Sequence, residues 1–219
     1  MNLYQDSKKN NLPDFNIEKS FKQKVIGLDE VGRGPLAGPV ISSAVIYLDT
    51  KININLVELI NDSKKLSYKS RLKAFRVIYQ LRKLKKIKFS LGMSSVIEID
   101  KLNILEATKL SMRRAVFNLN EPPTTLIIDG NFDINLNKYP SKSFIKGDEI
   151  SLSIATASII AKIHRDRYMR FLSYFFPYYN WSSNAGYGTK KHIEQICKKG
   201  ITSHHRKTFE PIKSLIHKK

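Results

Sequence analysis

Short apolar runs alternate with longer segments of helical periodicity along the chain. The first two runs, 24–32 and 40–48, are KVIGLDEVG and VISSAVIYL, and the turn RGPLAGP separates them. Runs rich in β-branched residues that end at glycine and proline predict strands, and two such strands joined by a turn predict a hairpin. A third strand is predicted in IKFSLGMSSV, residues 87–96.

Apolar residues recur at helical spacing in four later segments. Between these segments, PPTTLIIDG and SFIKGD each predict a strand. A hairpin followed by alternating helices and strands, and then by helices, predicts an α/β fold with a mixed sheet. The helical segments lie within 51–84, where a loop begins at Asp62 and Ser63, and over 99–119, 151–171 and 190–199.

The composition favours one folded domain with a polyanionic partner. At 219 residues with 42% hydrophobic residues, the chain is long enough to bury a core. Lysine and arginine number 38 against 19 aspartate and glutamate, so the formal net charge is +19. This charge favours nucleic acid or a membrane surface as a partner, although a biased composition alone also produces a basic chain.

The cysteine count and the lack of long apolar runs exclude several classes of protein. A single cysteine, Cys197, excludes an intramolecular disulfide and any metal cluster built on several cysteines. The polar start of the chain is unlike a signal peptide, and no uninterrupted apolar run reaches transmembrane length. We therefore expect a cytoplasmic protein, which removes the membrane surface as a partner, and we predict that residues 1–20 form a flexible polar arm.

Acidic residues stand at the ends of two predicted strands. Asp29 and Glu30 end the first strand, and Asp129 ends the strand TLIID. If these strands are neighbours in the sheet, the three carboxylates converge. Asp148, before a long predicted helix, can join them or simply cap that helix. Asp166 lies among bases on a helix, which favours an ion pair over a ligand role, and a supporting role behind the ligands stays open.

These acids predict a site for divalent cations. Carboxylates gathered without histidine or cysteine form an oxygen-only site, which suits Mg²⁺ or Mn²⁺, and cations must offset their mutual repulsion. In a basic chain, such a site indicates phosphate chemistry on a nucleic acid, where two metal ions activate water and stabilise the leaving oxygen. The ordinary alternative is that the acids are exposed or cap main-chain groups.

The turn after the first strand contains Gly32, Arg33 and Gly34. With Ala37 they match the dinucleotide fingerprint G-x-G-x-x-A, but that fingerprint needs a helix to begin at the turn, and here two prolines lead into another strand. We therefore exclude a nucleotide cofactor site. The glycines are either ordinary turn residues or positions where the main chain approaches a ribose, with Arg33 as a phosphate ligand.

Two further segments have both a structural and a functional interpretation. In DSKKLS, Lys64 and Lys65 are a solvated pair of charges, or Ser63 and Lys64 contact a phosphate. In NAGYGT, Tyr187 stands between glycines, where a core aromatic is unusual, and this favours a ring exposed for stacking on a base or sugar. Each of these signals is weak when taken alone.

Together, these motifs resemble the ribonuclease HII family, the bacterial type 2 ribonucleases H. SIATAS and IHRDR depart slightly from the family pattern, but neither contains Asp29, Glu30, Asp129 or Asp148. The matching segments follow the family order over about residues 24–213: GLDEVGRGPLAGPV, DSKKLS, EIDKLNILEATKLSMRRAV, IIDGN, KGDEISLSIATASIIAKIHRDRYM, GYGTKKH and HRKTFEPI.

The resemblance implies a ribonuclease H-like fold, with a mixed central β-sheet flanked by helices and a small C-terminal helical region. We accordingly expect a catalytic domain at 21–189 and a basic helical extension at 190–219. The resemblance also implies endonucleolytic cleavage of RNA in RNA·DNA hybrids and 5′ of single ribonucleotides in duplex DNA. The products carry a 3′-hydroxyl and a 5′-phosphate, and two Mg²⁺ or Mn²⁺ ions are the cofactors.

We expect a monomer, and a sliding clamp stays open as a partner. Two alternative functions also stay open: a non-catalytic basic nucleic-acid-binding protein, and a two-metal DNA nuclease of the same fold.

The family motifs also imply roles for individual residues. The metal-binding carboxylates fall on Asp29, Glu30 and Asp129, with Asp148 as a fourth catalytic acid. The substrate-binding residues fall on Gly32, Arg33 and Gly34 for the 2′-hydroxyl, on Tyr187 for stacking, and on Ser63, Lys64 and Lys146 for phosphate.

Overall fold

A five-stranded mixed sheet forms the centre of the described chain, which in this computed structural model comprises residues 12–52, 57–61 and 63–217. β1 pairs antiparallel with β2 and parallel with β4, while β2 and β3 are antiparallel and β4 and β5 parallel. The predicted hairpin and mixed α/β sheet are confirmed. The strands are β1 (Ile26–Val31), β2 (Val40–Tyr47), β3 (Ile87–Ser94), β4 (Leu126–Asp129) and β5 (Ser141–Phe144), in the spatial order β3-β2-β1-β4-β5.

Helices cover both faces of this sheet. They are α1 (Asn16–Lys19), α2 (Tyr68–Lys83), α3 (Val96–Leu102), α4 (Ile104–Leu119), α5 (Gly147–Ile150), α6 (Leu152–Phe175), α7 (Trp181–Asn184), α8 (Lys190–Lys199) and α9 (Ile212–His217), with a 3-10 turn at Pro177–Tyr179. Side chains alternate along the strands, so Val45 and Tyr47 pack against α2 and α6, while Ile26 and Leu28 pack against α4. Among the described residues, no helix is long and apolar enough to cross a membrane.

β1 packs closely against α6 because Gly27 lacks a side chain. A Cβ at Gly27 would lie 2.6 Å from the carbonyl carbon and the Cβ of Ser153. On the opposite face of β1, Leu28 is fully buried against Met112 and Ala115 of α4. Truncation of such a core leucine to alanine costs about 2–5 kcal/mol. The end of β1 is thereby fixed beside α6.

The prediction of one continuous helix over 99–119 is wrong. Asn103 has a positive φ of 71° and separates α3 from α4. Its side-chain oxygen accepts hydrogen bonds from the main-chain N–H groups of Leu105 (2.9 Å) and Glu106 (3.1 Å), so it caps the second helix. The predicted periodicity is real on both sides of this break, but a capping asparagine ends the first helix.

The remaining predicted helices are present, two of them with altered bounds. The segment 51–84 forms a long helix only from Tyr68, after the predicted loop, and its residues 53–56 and Asp62 lie outside the described chain. The helices predicted over 151–171 and 190–199 are confirmed as α6, which continues about one turn further, and α8.

The predicted flexible arm, 1–20, does not extend to its stated end. Phe15 is 9% exposed within the core beneath α6. Glu18 is also buried, and its Oε1 accepts a hydrogen bond of 2.8 Å from the main-chain N–H of Ser153 in the first turn of α6. A buried ring and a carboxylate at a helix N-terminus fix this segment on the domain. The part of the arm before Leu12 lies outside the described residues.

The C-terminal helices pack against the turn that follows β1. Ile196 of α8 and Ile212 of α9 share a buried cluster with Leu36 and Ala37 of that turn and with Met169 of α6. The turn is therefore supported from behind by a small core of its own. This support places residues from distant parts of the sequence around the Gly-Arg-Gly segment.

Candidate active site

Three carboxylates meet where β1 and β4 run side by side. Leu28 pairs with Ile128 in the parallel register, so the residues that follow them, Asp29 and Asp129, are neighbours. Asp148 approaches from α5. One carboxylate oxygen of each of the three aspartates lies within 4.8 Å of the others. The structure thus brings together three of the four acids that the strand ends and the family motif indicated.

Glu30 follows Asp29 in β1 and lies beside this cluster, close enough for its charge to interact with those of Asp29 and Asp129. The Oε1 atom of Glu30 is 3.5 Å from Nη1 of Arg33. Its Oε2 atom is buried and has no hydrogen-bond partner among the described residues. A buried carboxylate oxygen without a partner is energetically costly, and a bound cation would satisfy it.

Burial and mutual repulsion raise the pKa values of Asp29 and Glu30. The pKa of Asp29 lies well above its usual range, first because of burial and then because of the negative charges of Glu30 and Asp129. A hydrogen bond with Ser158 acts in the opposite direction. Burial also raises the pKa of Glu30 to about 7, although Arg33 opposes this shift. Such a cluster is fully ionised near neutral pH only when cations offset its charge.

The donor set fits divalent cations. All its members are carboxylates, the hard oxygen ligands that Mg²⁺ and Mn²⁺ prefer. The main-chain N–H of Gly147 donates a 2.7 Å hydrogen bond to Oδ1 of Asp129, which fixes that carboxylate and holds α5 against β4. A Cβ at Gly147 would lie 2.7 Å from Cδ1 of Ile154, so the end of that side chain would have to move to accommodate it.

An open cavity of about 450 Å³ adjoins the acids. The Nζ atom of Lys64 lies 3.2 Å from Oδ2 of Asp148, and that of Lys146 lies 3.8 Å from Oε1 of Glu149. The two lysine side chains are 73% and 74% exposed, so a ligand in the cavity has access to both. The lining residues are Lys64, Asp129, Gly130, Asn131, Ile145, Lys146, Asp148 and Glu149.

The side chain of Ser63 points into the protein, which differs from the predicted phosphate contact. Ser63 is 3% exposed, and its hydroxyl lies 2.8 Å from that of Ser158, the residue that hydrogen-bonds Asp29. The carbonyl of Ser63 accepts hydrogen bonds of 3.0 and 2.9 Å from Arg71. Ser63 therefore supports Asp29 from behind and fixes the main chain just before Lys64.

Asp166 is held in ion pairs with two basic residues. Its Oδ1 lies 2.7 Å from Nζ of Lys162, and its Oδ2 lies 3.4 Å from Nη1 of Arg71. These contacts match the ion-pair role expected from its basic neighbours in the sequence. Because Arg71 also holds the carbonyl of Ser63, Asp166 stabilises the loop that carries Lys64.

The Gly-Arg-Gly turn meets Tyr187 next to the acids. A Cβ at Gly34 would lie 3.4 Å from Cε1 of Tyr187, whose ring is half exposed. The guanidinium carbon of Arg33 lies 5.6 Å from the centre of the Phe132 ring. Gly32 has φ of +102°, and a Cβ there would lie 2.2 Å from Nε of Arg165. The two glycines therefore have different surroundings: one faces a buried arginine and the other an exposed ring.

Comparison with known proteins decides the family. A family model described as Ribonuclease HII matches residues 26–212. The chain belongs to the ribonuclease HII family. Members of this family are type 2 ribonucleases H, endonucleases that act on nucleic acid with divalent metal ions, and the aspartate cluster of this chain fits such ions.

Individual members of the ribonuclease HII family resemble this chain in sequence or in fold. Ribonuclease HII of Wolbachia pipientis subsp. Culex pipiens (strain wPip) is 50% identical over 204 residues, which cover 93% of this chain and 98% of the relative. The crystal structure of ribonuclease H2 from Pyrococcus horikoshii OT3 matches with a TM-score of 0.69 at 23% identity, over 90% of this chain and 98% of that one. The ribonuclease HII from Archaeoglobus fulgidus, solved in a complex with PCNA, matches with a TM-score of 0.66 at 24% identity, over 86% and 96%. At these identities the two structures show the fold alone.

Sequence reasoning assigned no role to Arg165, Arg206 or His192. The indole N–H of Trp181 donates to Nε2 of His192 (3.0 Å), and Nδ1 of His192 lies 2.8 Å from the carbonyl oxygen of Tyr187. Because the indole nitrogen only donates, His192 carries its proton on Nδ1 and donates it to that carbonyl. The sole signal for these residues was their presence in the segments HRDR, HRKTF and GTKKH.

Proposed function

We propose that the protein cuts the RNA strand of RNA·DNA hybrids and incises duplex DNA 5′ of a single embedded ribonucleotide, leaving a 3′-hydroxyl and a 5′-phosphate. The observation that carries this proposal is the continuity of β1 with the turn after it. Asp29 and Glu30 lie near the end of the strand, Gly32–Gly34 follow directly after it, and Gly34 lies beside Tyr187. Consecutive residues thus supply acids suited to phosphodiester chemistry and a surface suited to a sugar.

In this proposal, Asp29, Glu30, Asp129 and Asp148 hold two Mg²⁺ or Mn²⁺ ions. When bound, such ions activate water and stabilise the leaving oxygen of the phosphodiester. The protein fixes the carboxylates in advance, because the N–H of Gly147 orients Asp129. Preorganised charges lower the barrier since they do not need to move during the reaction.

The remaining residues hold the substrate. Lys64 and Lys146 meet phosphate groups in the cavity beside the acids, as their exposed ammonium groups allow. The turn at Gly32–Gly34 brings main-chain groups to a ribose, whose 2′-hydroxyl is both a donor and an acceptor and is absent from DNA. Arg33 offers a planar guanidinium to phosphate, and Tyr187 offers a half-exposed ring for stacking.

One chain is sufficient for this activity. All four acids and the substrate-binding residues come from a single copy, so we propose that the protein acts as a monomer. A sliding clamp stays open as a partner, because the Archaeoglobus fulgidus ribonuclease HII was solved in a complex with PCNA. The basic character of the chain, with a net charge of +19, attracts the polyanionic duplex without regard to its sequence.

Three duplexes of identical sequence test the proposal in Mg²⁺: one with a single ribonucleotide, one with a stretch of ribonucleotides and one of DNA alone. We expect cleavage of the first two, at the phosphate 5′ to a ribonucleotide, and none of the third. Asp29→Asn should abolish cleavage but retain duplex binding. Asp49→Asn is a matched control, because Asp49 is a partly exposed aspartate that pairs with Lys86 and follows the far end of the hairpin strand β2.

The other outcomes separate the alternatives. Equal cleavage of the all-DNA duplex would identify a DNA nuclease that does not read ribose. Duplex binding by the wild type without any divalent-ion-dependent cleavage would favour a non-catalytic binding protein. Retained cleavage by Asp29→Asn would reject the assignment of the acids.

A further inference from the structure

Two arginines lie fully buried behind the Gly-Arg-Gly turn. Arg165 of α6 and Arg206, in the loop between α8 and α9, both have 0% exposure. Among the described residues, neither forms an ion pair with a carboxylate; their hydrogen bonds go to main-chain carbonyl oxygens. Burying a guanidinium without an acidic partner is costly, so this arrangement calls for a specific explanation.

Arg206 holds the turn itself. Its Nη1 donates to the carbonyl of Arg33 (2.7 Å), and its Nη2 donates to those of Gly32 (2.5 Å) and Gly38 (2.8 Å). Its Nε donates a further bond of 3.0 Å to Gly38. One planar group thus joins the beginning of the turn to its end.

Arg165 holds the second half of the turn and connects it with the tyrosine loop. Its Nε donates to the carbonyl of Pro39 (3.0 Å) and its Nη2 to that of Ala37 (3.1 Å). Its Nη1 donates to Ala185 (2.9 Å), two residues before Tyr187. The turn and the loop of Tyr187 are therefore fixed to the same guanidinium.

Two glycines of the turn leave room for the side chains that pack behind it. A Cβ at Gly32 would lie 2.2 Å from Nε and 2.7 Å from Cδ of Arg165. At Gly38, a Cβ would lie 2.3 Å from Sδ of Met169 and 3.5 Å from Nη2 of Arg165. Gly32 thus leaves space for the buried arginine, whereas Gly34 is the glycine beside the exposed Tyr187 ring.

Both guanidinium groups keep their charge at neutral pH. Burial lowers the pKa of Arg165 to about 10 and that of Arg206 to about 9. Two positive charges are therefore placed behind a turn that faces a polyanion, where they also favour nearby phosphate. A lysine in either position would keep the charge, but it lacks the planar fork that reaches several carbonyls at once.

We propose that Arg165 and Arg206 are positioning residues that set the preference for a ribonucleotide, by holding the main chain of residues 32–39 and the Tyr187 loop in one fixed arrangement. This inference rests on the proposed ribose reading by Gly32–Gly34. The fork geometry of the two side chains, and not their charge alone, is what the turn requires. The acids and their metal ions are not involved.

The test compares Arg206→Lys and Arg165→Lys with the wild type on two duplexes. One duplex carries a single ribonucleotide, and the other carries at the same position a 2′-fluoro nucleotide, which lacks the hydroxyl donor. The readout is the ratio of kcat/KM between the two duplexes, together with the Mg²⁺ concentration for half-maximal activity. Arg167→Lys is the matched control, because Arg167 is exposed on the same helix and its guanidinium lies over the Phe75 ring.

We expect the two lysine variants to reduce the ratio by about 10- to 100-fold, the effect of misplacing a positioned group by about 1 Å, with an unchanged Mg²⁺ midpoint. The Arg167→Lys control should keep the wild-type ratio. A lysine variant that retains the ratio, or lowers kcat/KM equally on both duplexes, would overturn the inference. A wild type that shows no preference for the ribonucleotide would instead reject the proposed function, so the two failures are distinguishable.

Hydrogen exchange of the wild type gives a second readout that holds even if a lysine variant does not fold. The amides of Leu36 and Gly38 donate to the carbonyls of Gly186 (2.8 Å) and His204 (2.9 Å). If the arginines fix the turn in the free protein, these amides should be protected as strongly as those of β1. Exchange at the rate of an open loop would overturn the inference.

Discussion

The ring of Tyr187 lies against Gly34, close enough that a Cβ on the glycine would lie 3.4 Å from Cε1 of the ring. That distance is an ordinary van der Waals contact. At Gly32, two residues earlier, a Cβ would instead overlap with Arg165. Gly32 and Gly34 look equivalent in the sequence, but only position 34 has room for a Cβ atom.

Gly32→Ala should destabilise the fold, whereas Gly34→Ala should not. The alanine at 32 adds an overlap with Arg165 at a φ of +102°, and such strain and overpacking cost about 1–3 kcal/mol. Urea unfolding of both variants measures the difference in the free energy of unfolding. Equal stability of the two variants would contradict the close approach of Arg165 to Gly32.

Tyr187→Ala should weaken substrate binding more than Tyr187→Phe. Stacking of a base or sugar on an aromatic ring contributes about 1–3 kcal/mol, and phenylalanine keeps the ring. We expect KM for the single-ribonucleotide duplex to rise about tenfold or more in the alanine variant and to change little in the phenylalanine variant. A KM that is the same in all three proteins would show that the ring does not contact the substrate.

Asp29→Asn should stabilise the metal-free protein while it abolishes cleavage. Asp29 is buried next to other acids, so removal of its charge relieves repulsion and adds roughly 0.5–2 kcal/mol of stability. Thermal unfolding in EDTA measures this gain. Added Mg²⁺ should raise the melting temperature of the wild type by preferential binding to the folded state, and raise that of the variant much less. A variant that melts below the wild type in EDTA would contradict the repulsion.

His205 should make the protein less stable in acid. Burial, followed by the neighbouring charges of His192 and His204, lowers the pKa of His205 from 6.5 to about 3. Between these two pH values the unfolded chain binds a proton that the folded protein does not, so the free energy of unfolding falls as the pH falls. This loss of stability is absent above pH 6.5, where neither state binds the proton, and it is complete below about pH 3, where both states bind it.

The pH dependence of urea unfolding measures this effect. Between pH 7 and pH 4, the wild type should lose more stability than His205→Asn, which has no imidazole to protonate. NMR should show no titration of the His205 ring near pH 6.5 in the folded state. Parallel stability curves for the two proteins would contradict the buried neutral histidine.

The acid cluster was predictable because its geometry follows from local rules. A parallel pair of strands places equivalent ends together, so Asp29 and Asp129 could be brought to one site from their positions after two apolar runs. The hairpin and the mixed sheet follow from the same runs and from the glycines and prolines between them. The break at Asn103 was missed because helical periodicity continues on both sides of it.

The support of the site could not be predicted because it depends on contacts between distant segments. Arg165 and Ser158 lie on one helix, but their partners lie in the turn after β1, in β1 itself and in the loop before Lys64. A motif of the family can indicate that such residues matter, yet it does not show which main-chain groups they hold. For the same reason, Ser63 was assigned to phosphate although its hydroxyl lies inside the protein.

The most direct test of the proposed function is the position of the cut on duplex DNA with one embedded ribonucleotide, in Mg²⁺. We expect the wild type to produce a single product pair, with a 3′-hydroxyl on the upstream fragment and a 5′-phosphate on the fragment that begins with the ribonucleotide. Cleavage at scattered positions, cleavage of the matching all-DNA duplex at the same rate, or no cleavage at all would contradict a metal-dependent site that recognises the ribose.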